Sequence, residues 1–278
     1  MTTSTIATAK RVAKATVRYL GLTDAASSFR DHAKYYFERN IRSRNARFKL
    51  SPAADGLPMP PAHLVYLVTG QFDCEAFYKN GVVGAQCIQD VLRENGLDFA
   101  KFGKVLDFGC GCDRVMRQWK NARRSLYGVD YNPRLVGWCR AHLPFAEFAV
   151  NRAASPLNFA AGTFDFIYAI SVFTHLTEEN QQFWMGELTR VLKPGGHLLI
   201  TVHGTTRLQQ LTQEQRGQFE AGRVVVIHSR YSGRNMCATY HPEQYVRDVL
   251  CRDLKIVAFK PGGARDANQD VFVLQKPA

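Results

Sequence analysis

The residues from Lys104 to Arg114, KVLDFGCGCDR, join an apolar run, a carboxylate at Asp107 and glycines at positions 109 and 111. A buried strand that ends in such a turn lets the backbone approach a ligand closely, since glycine lacks a Cβ and accepts left-handed conformations. A G-x-G alone is weak evidence. A second acid, Asp130, ends the next strand candidate, SLYGVD, 19 residues after Gly111. An acid there can accept hydrogen bonds from both hydroxyls of a ribose, and it can equally be a turn residue, because DYNP has good turn chemistry. Arg114 stands where a dinucleotide fingerprint would carry its third glycine, Asp107 would repel a pyrophosphate, and the Gly-Lys-Ser/Thr of a phosphate loop is absent. The turn suits instead a nucleoside ligand with an amino group and a cationic centre.

Positioning these residues requires a strand under each. The strand candidates are Lys104–Phe108, Ser125–Val129, Glu147–Val150, Phe164–Ile170 and Gly196–Val202, followed by Val224–Ile227, Leu254–Phe259 and Asp270–Gln275. Helical periodicity is clearest at 133–142, 178–192 and 241–251, and HLVYLVTG and EAFYKNGVVGAQCIQDVLRENGL read as helices leading into the domain. Continuous apolar strands alternating with amphipathic helices predict a mostly parallel sheet covered on both faces, an α/β fold. A helix is expected to open after the first glycine turn, with its free N–H groups near the ligand.

VLDFGCGCDR, LYGVDYNP, FDFIYAISVFTHL and LTRVLKPGGHLLIT, in that order, resemble the successive motifs of the class I S-adenosylmethionine-dependent methyltransferases, and QDVFVLQKP is similar to their closing strand. The resemblance covers residues 62–278. It implies a Rossmann-like doubly wound seven-stranded sheet in the order 3-2-1-4-5-7-6, its last strand antiparallel, with S-adenosyl-L-methionine as cofactor. The cofactor residues it implies are Asp107, Gly109, Cys110, Gly111, Asp130, Tyr131, Asn151 and Ser171. Two positions depart from the family pattern. Asp113 replaces the third glycine of D-x-G-x-G-x-G, where it could tighten packing or bring a charge near the cofactor. Ala153 lies where an adenine-contacting acid is usual, leaving Asn151 for that edge.

Methyl transfer from a sulfonium works largely by positioning and by excluding water, and it needs a base only when the acceptor must lose a proton. His175 and His203 follow the fourth and fifth strands and read either as catalytic bases titrating near working pH or as donors that anchor their loops. Tyr231, Tyr240 and His241 fall in the region this family commonly uses for substrate selection, though Tyr240 and His241 more simply pack under the next helix. Phe77 and Tyr78 read as core rather than as a lid.

The acceptor expected is a small molecule or saccharide methylated at oxygen or nitrogen. RNA methylation is the alternative, against which no Asn/Asp-Pro-Pro-Tyr/Phe motif follows the fourth strand. A cofactor-binding regulator without catalysis is the non-enzyme alternative. Of the formal net charge of +12, residues 1–50 carry most, with eleven Lys or Arg against three acids. Segments 4–20 and 27–46 read as basic helices and "SPAADGLPMPPAH" as a linker, so residues 1–61 form an extension to the 62–278 domain. That extension packs on the domain, rests on a membrane surface as an amphipathic helix, reaches nucleic acid as an arm, or acts as a mitochondrial-type targeting segment. The seven scattered cysteines make no CxxC, which points to neither a disulfide framework nor a metal ribbon and to a reducing, cytoplasmic setting. No apolar run approaches bilayer length.

Overall fold

The computed structural model of the chain describes residues 35–278, apart from 37, 51, 52, 54, 153, 154 and 234. The expected helix at 4–20, the start of that at 27–46 and the aligned Ala153 lie outside these residues. From residue 39 the second helix is present as α1 (Arg39–Leu50), followed by α2 (Ala62–Thr69) and α3 (Cys74–Glu94). Asp73 caps α3 by accepting from the Ala76 N–H.

A seven-stranded sheet forms the centre. Its strands are β1 (Lys104–Phe108), β2 (Ser125–Asp130), β3 (Glu147–Val150), β4 (Phe164–Ala169), β5 (Leu192–Val202), β8 (Lys255–Ala264) and β9 (Gln269–Gln275), in spatial order β3-β2-β1-β4-β5-β9-β8. The first five are parallel, and β9 runs antiparallel to both β5 and β8. Counting only the strands of this sheet, that is the expected order with the closing strand reversed. The remaining pair, β6 (Val225–Ile227) and β7 (Ala238–Tyr240), forms a separate antiparallel ribbon. The 224–227 segment, grouped with the other strand candidates by its sequence, therefore adds nothing to the main sheet.

Alternate residues of each strand serve opposite layers, which is why the strands are apolar throughout rather than alternating. Leu106, Ile167, Leu198 and Ile200 join Trp184, Leu188 and Val191 of α5 (Glu178–Val191). Val105, Phe166, Tyr168, Leu199 and Val273 pack instead against Ile88, Val91 and Leu92 of α3. A third cluster unites α2 and the start of α3 with α4 (Pro133–His142), which Asn132 caps by accepting from the Arg134 N–H. Downstream, the helix expected over 241–251 is three residues of α-helix, Glu243–Tyr245, continuing as a π-helical turn over Val246–Leu250. Among the described residues no helix is long and apolar enough to cross a membrane.

The β1–β2 crossover departs from expectation. Where a helix was expected after the glycine turn, the chain makes successive turns and a short 3-10 segment, Met116–Trp119. Arg117 in this segment is fully buried and aimed away from the loop. Its guanidinium donates to Asp55 at 2.6 Å (Nε) and 3.1 Å (Nη2) and to the carbonyls of Leu57 and Pro58, and Lys120 donates to the Asp55 carbonyl. The proline-rich segment is thereby strapped to the crossover, and a regular helix is exchanged for that anchorage. Asn45 of α1 adds a second tie, donating to the Phe72 carbonyl and accepting from the Cys74 N–H.

Truncating one partner of a buried ion pair strands the other, so Arg117→Ala is expected to cost about 3–5 kcal/mol in urea unfolding. A loss below about 1 kcal/mol would mean that Asp55 does not depend on this partner.

Candidate active site

A cavity of about 690 Å³ opens at the carboxyl edge of the parallel strands, the edge at which open α/β sheets bind ligands. Its floor is the turn after β1. Gly109 and Gly111 both have left-handed backbones, φ 81° and 58°; a Cβ at Gly109 would stand 2.4 Å from the Val172 side chain, and one at Gly111 would stand 2.9 Å from that of Val68. Neither position has room for another residue.

Asp107 and Asp130 meet at this floor because β1 and β2 pair in parallel, Asp107 opposite Gly128. The Asp130 carboxylate accepts from the Gly111 N–H at 2.9 Å and the Asn132 N–H at 2.8 Å, one on each oxygen. A carboxylate oxygen has a second acceptor position, so each can still receive a hydroxyl from the cavity. Asp107 accepts from the hydroxyl of Tyr168, its register partner on β4, at 2.8 Å. Burial pushes the Asp107 carboxyl up to about 7, against the Tyr168 hydrogen bond and the Arg114 charge; burial raises Asp130 as well, its two backbone donors opposing.

Asp113 does not line the cavity. It adopts φ 57°, the backbone a glycine would take there, and it is wholly buried, accepting from the Met116 N–H at 3.1 Å. Burial first, and then the Asp107 charge, push its carboxyl well up. Of the two roles considered for it, the structure gives the packing one.

The remaining cofactor candidates line the same cavity: Cys110 on the floor, Tyr131 and Asn151 beyond the ends of β2 and β3, and Ser171 after β4. Ser171 is left-handed too, φ 58°, held by a bond from its N–H to Thr201 and one from its hydroxyl to Gln269. Tyr131 is 46% exposed and so forms part of the rim.

His175 and His203 share the opposite wall, their ring centroids 6.4 Å apart. His175 Nδ1 lies 2.6 Å from the Cys237 carbonyl. A carbonyl only accepts, so this contact assigns the proton to Nδ1 and leaves the Nε2 lone pair for the cavity. Burial lowers His175, and it lowers His203 to about 3, with the Arg207 and His175 charges adding to the effect. Of the two alternatives for His203, base or loop anchor, the low value is at odds with a base titrating near working pH. His241 is also outside the cavity; buried against Gln181 at 3.1 Å, it is lowered to about 3 by burial. Tyr240 packs on His203 and beside Leu211, Phe219 and Val225 and donates to Gln210, rather than packing under the next helix, and Phe77 is core as expected.

Several lining residues carried no motif. Arg114 projects from the crossover and pairs with buried Asp266 at 2.6 Å. Arg207 follows β5, Asn180 belongs to α5, and Gln269 opens β9. The reversal of β9 brings Gln269, the first residue of that strand, to the edge where the parallel strands end; that relation could have marked it, but the composition around it does not. The roof is the end of α2, tied by Asn235, which donates to the Leu67 and Val68 carbonyls.

Residues 106–200, which span β1 through β5 and the cavity floor, match a family profile described as a methyltransferase domain. The matched segment is thus similar to a methyltransferase domain, and it carries the strand order described above. Across 101 residues the chain is 30% identical to an uncharacterised methyltransferase of Synechocystis sp., covering 36% of this chain and 47% of that protein. Across 179 residues it is 24% identical to a tRNA N(3)-methylcytidine methyltransferase of Schizosaccharomyces pombe, covering 60% and 55%. The chain therefore spans about half the length of these relatives. Its fold is shared with a 1,6-didemethyltoxoflavin-N1-methyltransferase of Burkholderia thailandensis, solved with bound 1,6-didemethyltoxoflavin and S-adenosylhomocysteine (TM-score 0.50, 15% identity, 73% of this chain and 79% of that one).

The residues of this methyltransferase domain fit the family's cofactor. Two carboxylates suit a ligand that carries an ammonium and a sulfonium, the spare acceptor positions of Asp130 suit ribose hydroxyls, and the glycine floor admits close approach.

A raised carboxyl destabilises the fold as pH rises, because the folded state holds a proton that the unfolded state has released. The buried histidines, lowered on folding, act in the opposite sense. Asp107→Asn isolates the first effect: its stability should gain on wild type as pH rises from 5 to 8 in urea unfolding. A difference that stays constant over that range would contradict the raised Asp107.

Proposed function

We propose that this chain transfers a methyl group from S-adenosylmethionine to an oxygen or nitrogen of a small molecule or saccharide. The observation that carries the reading is that the two carboxylates of the glycine floor and two buried histidines line one cavity. Asp107 would hold the ammonium end of the cofactor, Asp130 the ribose, Asn151 and Tyr131 the adenine side, and Ser171 the region between cofactor and acceptor. Gly109, Cys110 and Gly111 would supply the floor. When bound, the cofactor supplies a methyl group on a cationic sulfur that departs as a neutral thioether.

His175 is assigned as the base. Its Nε2 takes the proton that the acceptor oxygen or nitrogen loses as the new bond forms, and the Cys237 carbonyl keeps the imidazole in the tautomer that can do so. His203 lies beside it as a neutral wall that keeps water from the reacting atoms and orients the acceptor. A cavity of this size accommodates a cofactor together with a small acceptor rather than a folded macromolecule.

RNA remains the second reading. It draws on the basic residues 1–50 and on the tRNA substrate named for the Schizosaccharomyces pombe relative. RNA affinity that falls steeply with salt and disappears on removing those residues would replace the small-molecule reading. A labelled-methyl screen addresses the regulator alternative, which any turnover excludes.

Calorimetric titration with S-adenosylhomocysteine tests the cofactor assignment. Micromolar affinity that weakens by about tenfold or more in Asp130→Ala, roughly 1.4 kcal/mol, is the expected result. Folded wild-type protein that does not bind would reduce the family relationship to one of fold. For the base, His175→Asn should lower kcat by roughly 10²- to 10⁴-fold while leaving S-adenosylhomocysteine affinity within about threefold. Because His175 titrates below its ordinary range, kcat in the wild type should rise with pH on the acid side and be level above about pH 7. A variant with near-normal kcat would return His175 to a loop-anchoring role.

A further inference from the structure

The acceptor end of the cavity carries a cation without a counter-ion. Arg114 and Arg207 both line the wall, but Arg114 is neutralised by Asp266, whereas among the described residues no carboxylate pairs with Arg207. Arg207 is positioned by backbone alone: its Nε donates to the Asn268 carbonyl at 3.2 Å and its Nη2 to that of Ala267. These bonds use two of five N–H groups, and the remaining three are available to a ligand.

The next residue in the chain after these two carbonyls, Gln269, lines the same cavity. That side chain is 3% exposed, and its orientation is determined by its neighbours. Thr201 Oγ1 accepts the Ser171 N–H, so its own proton goes to Gln269 Oε1 at 2.6 Å. The Ser171 hydroxyl donates to the same oxygen at 3.0 Å. With Oε1 doubly engaged, Nε2 is the atom left for the cavity, and it takes no partner among the described residues. The Gln269 amide nitrogen and the Arg207 guanidinium thus line the same cavity, both presenting only donors.

We propose that the methyl acceptor carries a carboxylate or a phosphate, seated on Arg207 and the Gln269 amide, with its nucleophilic atom directed toward His175. Arg suits this task because its planar fork matches both kinds of oxyanion, and a charged hydrogen bond from a partly buried site discriminates strongly against a neutral analogue. The two acids that flank Gln269 in sequence are engaged elsewhere: Asp266 pairs with Arg114, and Asp270 accepts from the Gly262 N–H. The proposal rests on the methyltransferase reading, since it assigns the half of the cavity that the cofactor leaves open.

The test uses the full chain saturated with S-adenosylhomocysteine and titrated with succinate and, separately, with inorganic phosphate. Millimolar binding of one or both is expected, and which of them binds identifies the oxyanion. Arg207→Gln should weaken it at least tenfold while S-adenosylhomocysteine affinity stays within about threefold, and Arg207→Lys should recover part of the loss. Gln269→Glu keeps the acceptor for Thr201 and Ser171 but replaces the donor with a negative charge, so it should abolish anion binding even if Arg207 variants fold poorly. Binding of S-adenosylhomocysteine with no anion binding, or anion binding indifferent to both substitutions, overturns the acceptor class alone. Failure of S-adenosylhomocysteine to bind overturns the methyltransferase reading and this inference with it.

Discussion

The Asp130 carboxylate is the joint on which the site depends. One oxygen accepts from Gly111 after β1 and the other from Asn132 before α4, so a single side chain sets the distance between two successive strand ends. The turn that approaches Asp130 can do so only because residue 109 is left-handed and lacks a Cβ, and the donation from Gly109 and Cys110 to the Val129 carbonyl closes the same loop from the other side. Parallel pairing of β1 and β2 then brings Asp107 within electrostatic reach of Asp130, and the β4 register supplies the Tyr168 hydroxyl. Two raised acids in one floor are unfavourable for the free protein, and a cationic ligand reverses that cost. A floor of this kind would couple the binding of such a ligand to stability, through proton release as well as contact.

Much of this was legible in the residues themselves. Strand alternation, the glycine turn and the two acids lie within short segments whose pattern depends on local geometry, so a mostly parallel sheet and the acids at its strand ends followed from them, while the strand order followed from the family resemblance. What was not legible depended on contacts distant in sequence. The turn-rich crossover after the glycines cannot be read from VMRQWK, because the partner of its buried Arg117 is Asp55, 62 residues earlier in the chain. The low value of His203 arises from enclosure and from a neighbouring Arg207 rather than from its own segment. Gln269 becomes a site residue only because β9 is reversed. The Asp113 substitution was visible, but its meaning was not, since whether it faces the cavity or the core depends on the conformation at that one position.

The charge arrangement also constrains how a methyl transferase of this geometry can accelerate its reaction. Carboxylates that hold a cationic cofactor favour its ground state, and they favour the transition state less, because the positive charge is dispersing as the methyl group moves. Binding of that kind lowers the concentration of cofactor needed and does not raise the rate of the bound complex. On the proposed reading, acceleration would come from the histidine side of the cavity, through alignment of the acceptor and removal of its proton. A neutral His175 fits that division, since a protonated imidazole facing the sulfonium would add repulsion and could not accept a proton. An anionic acceptor fits it as well: seated at the far end on Arg207, its charge is balanced locally and leaves the field at the sulfonium to the floor. The two ends of the cavity would thus hold ligands of opposite sign, each by its own counter-charges, with the neutral histidine pair between them as the place where the methyl group crosses.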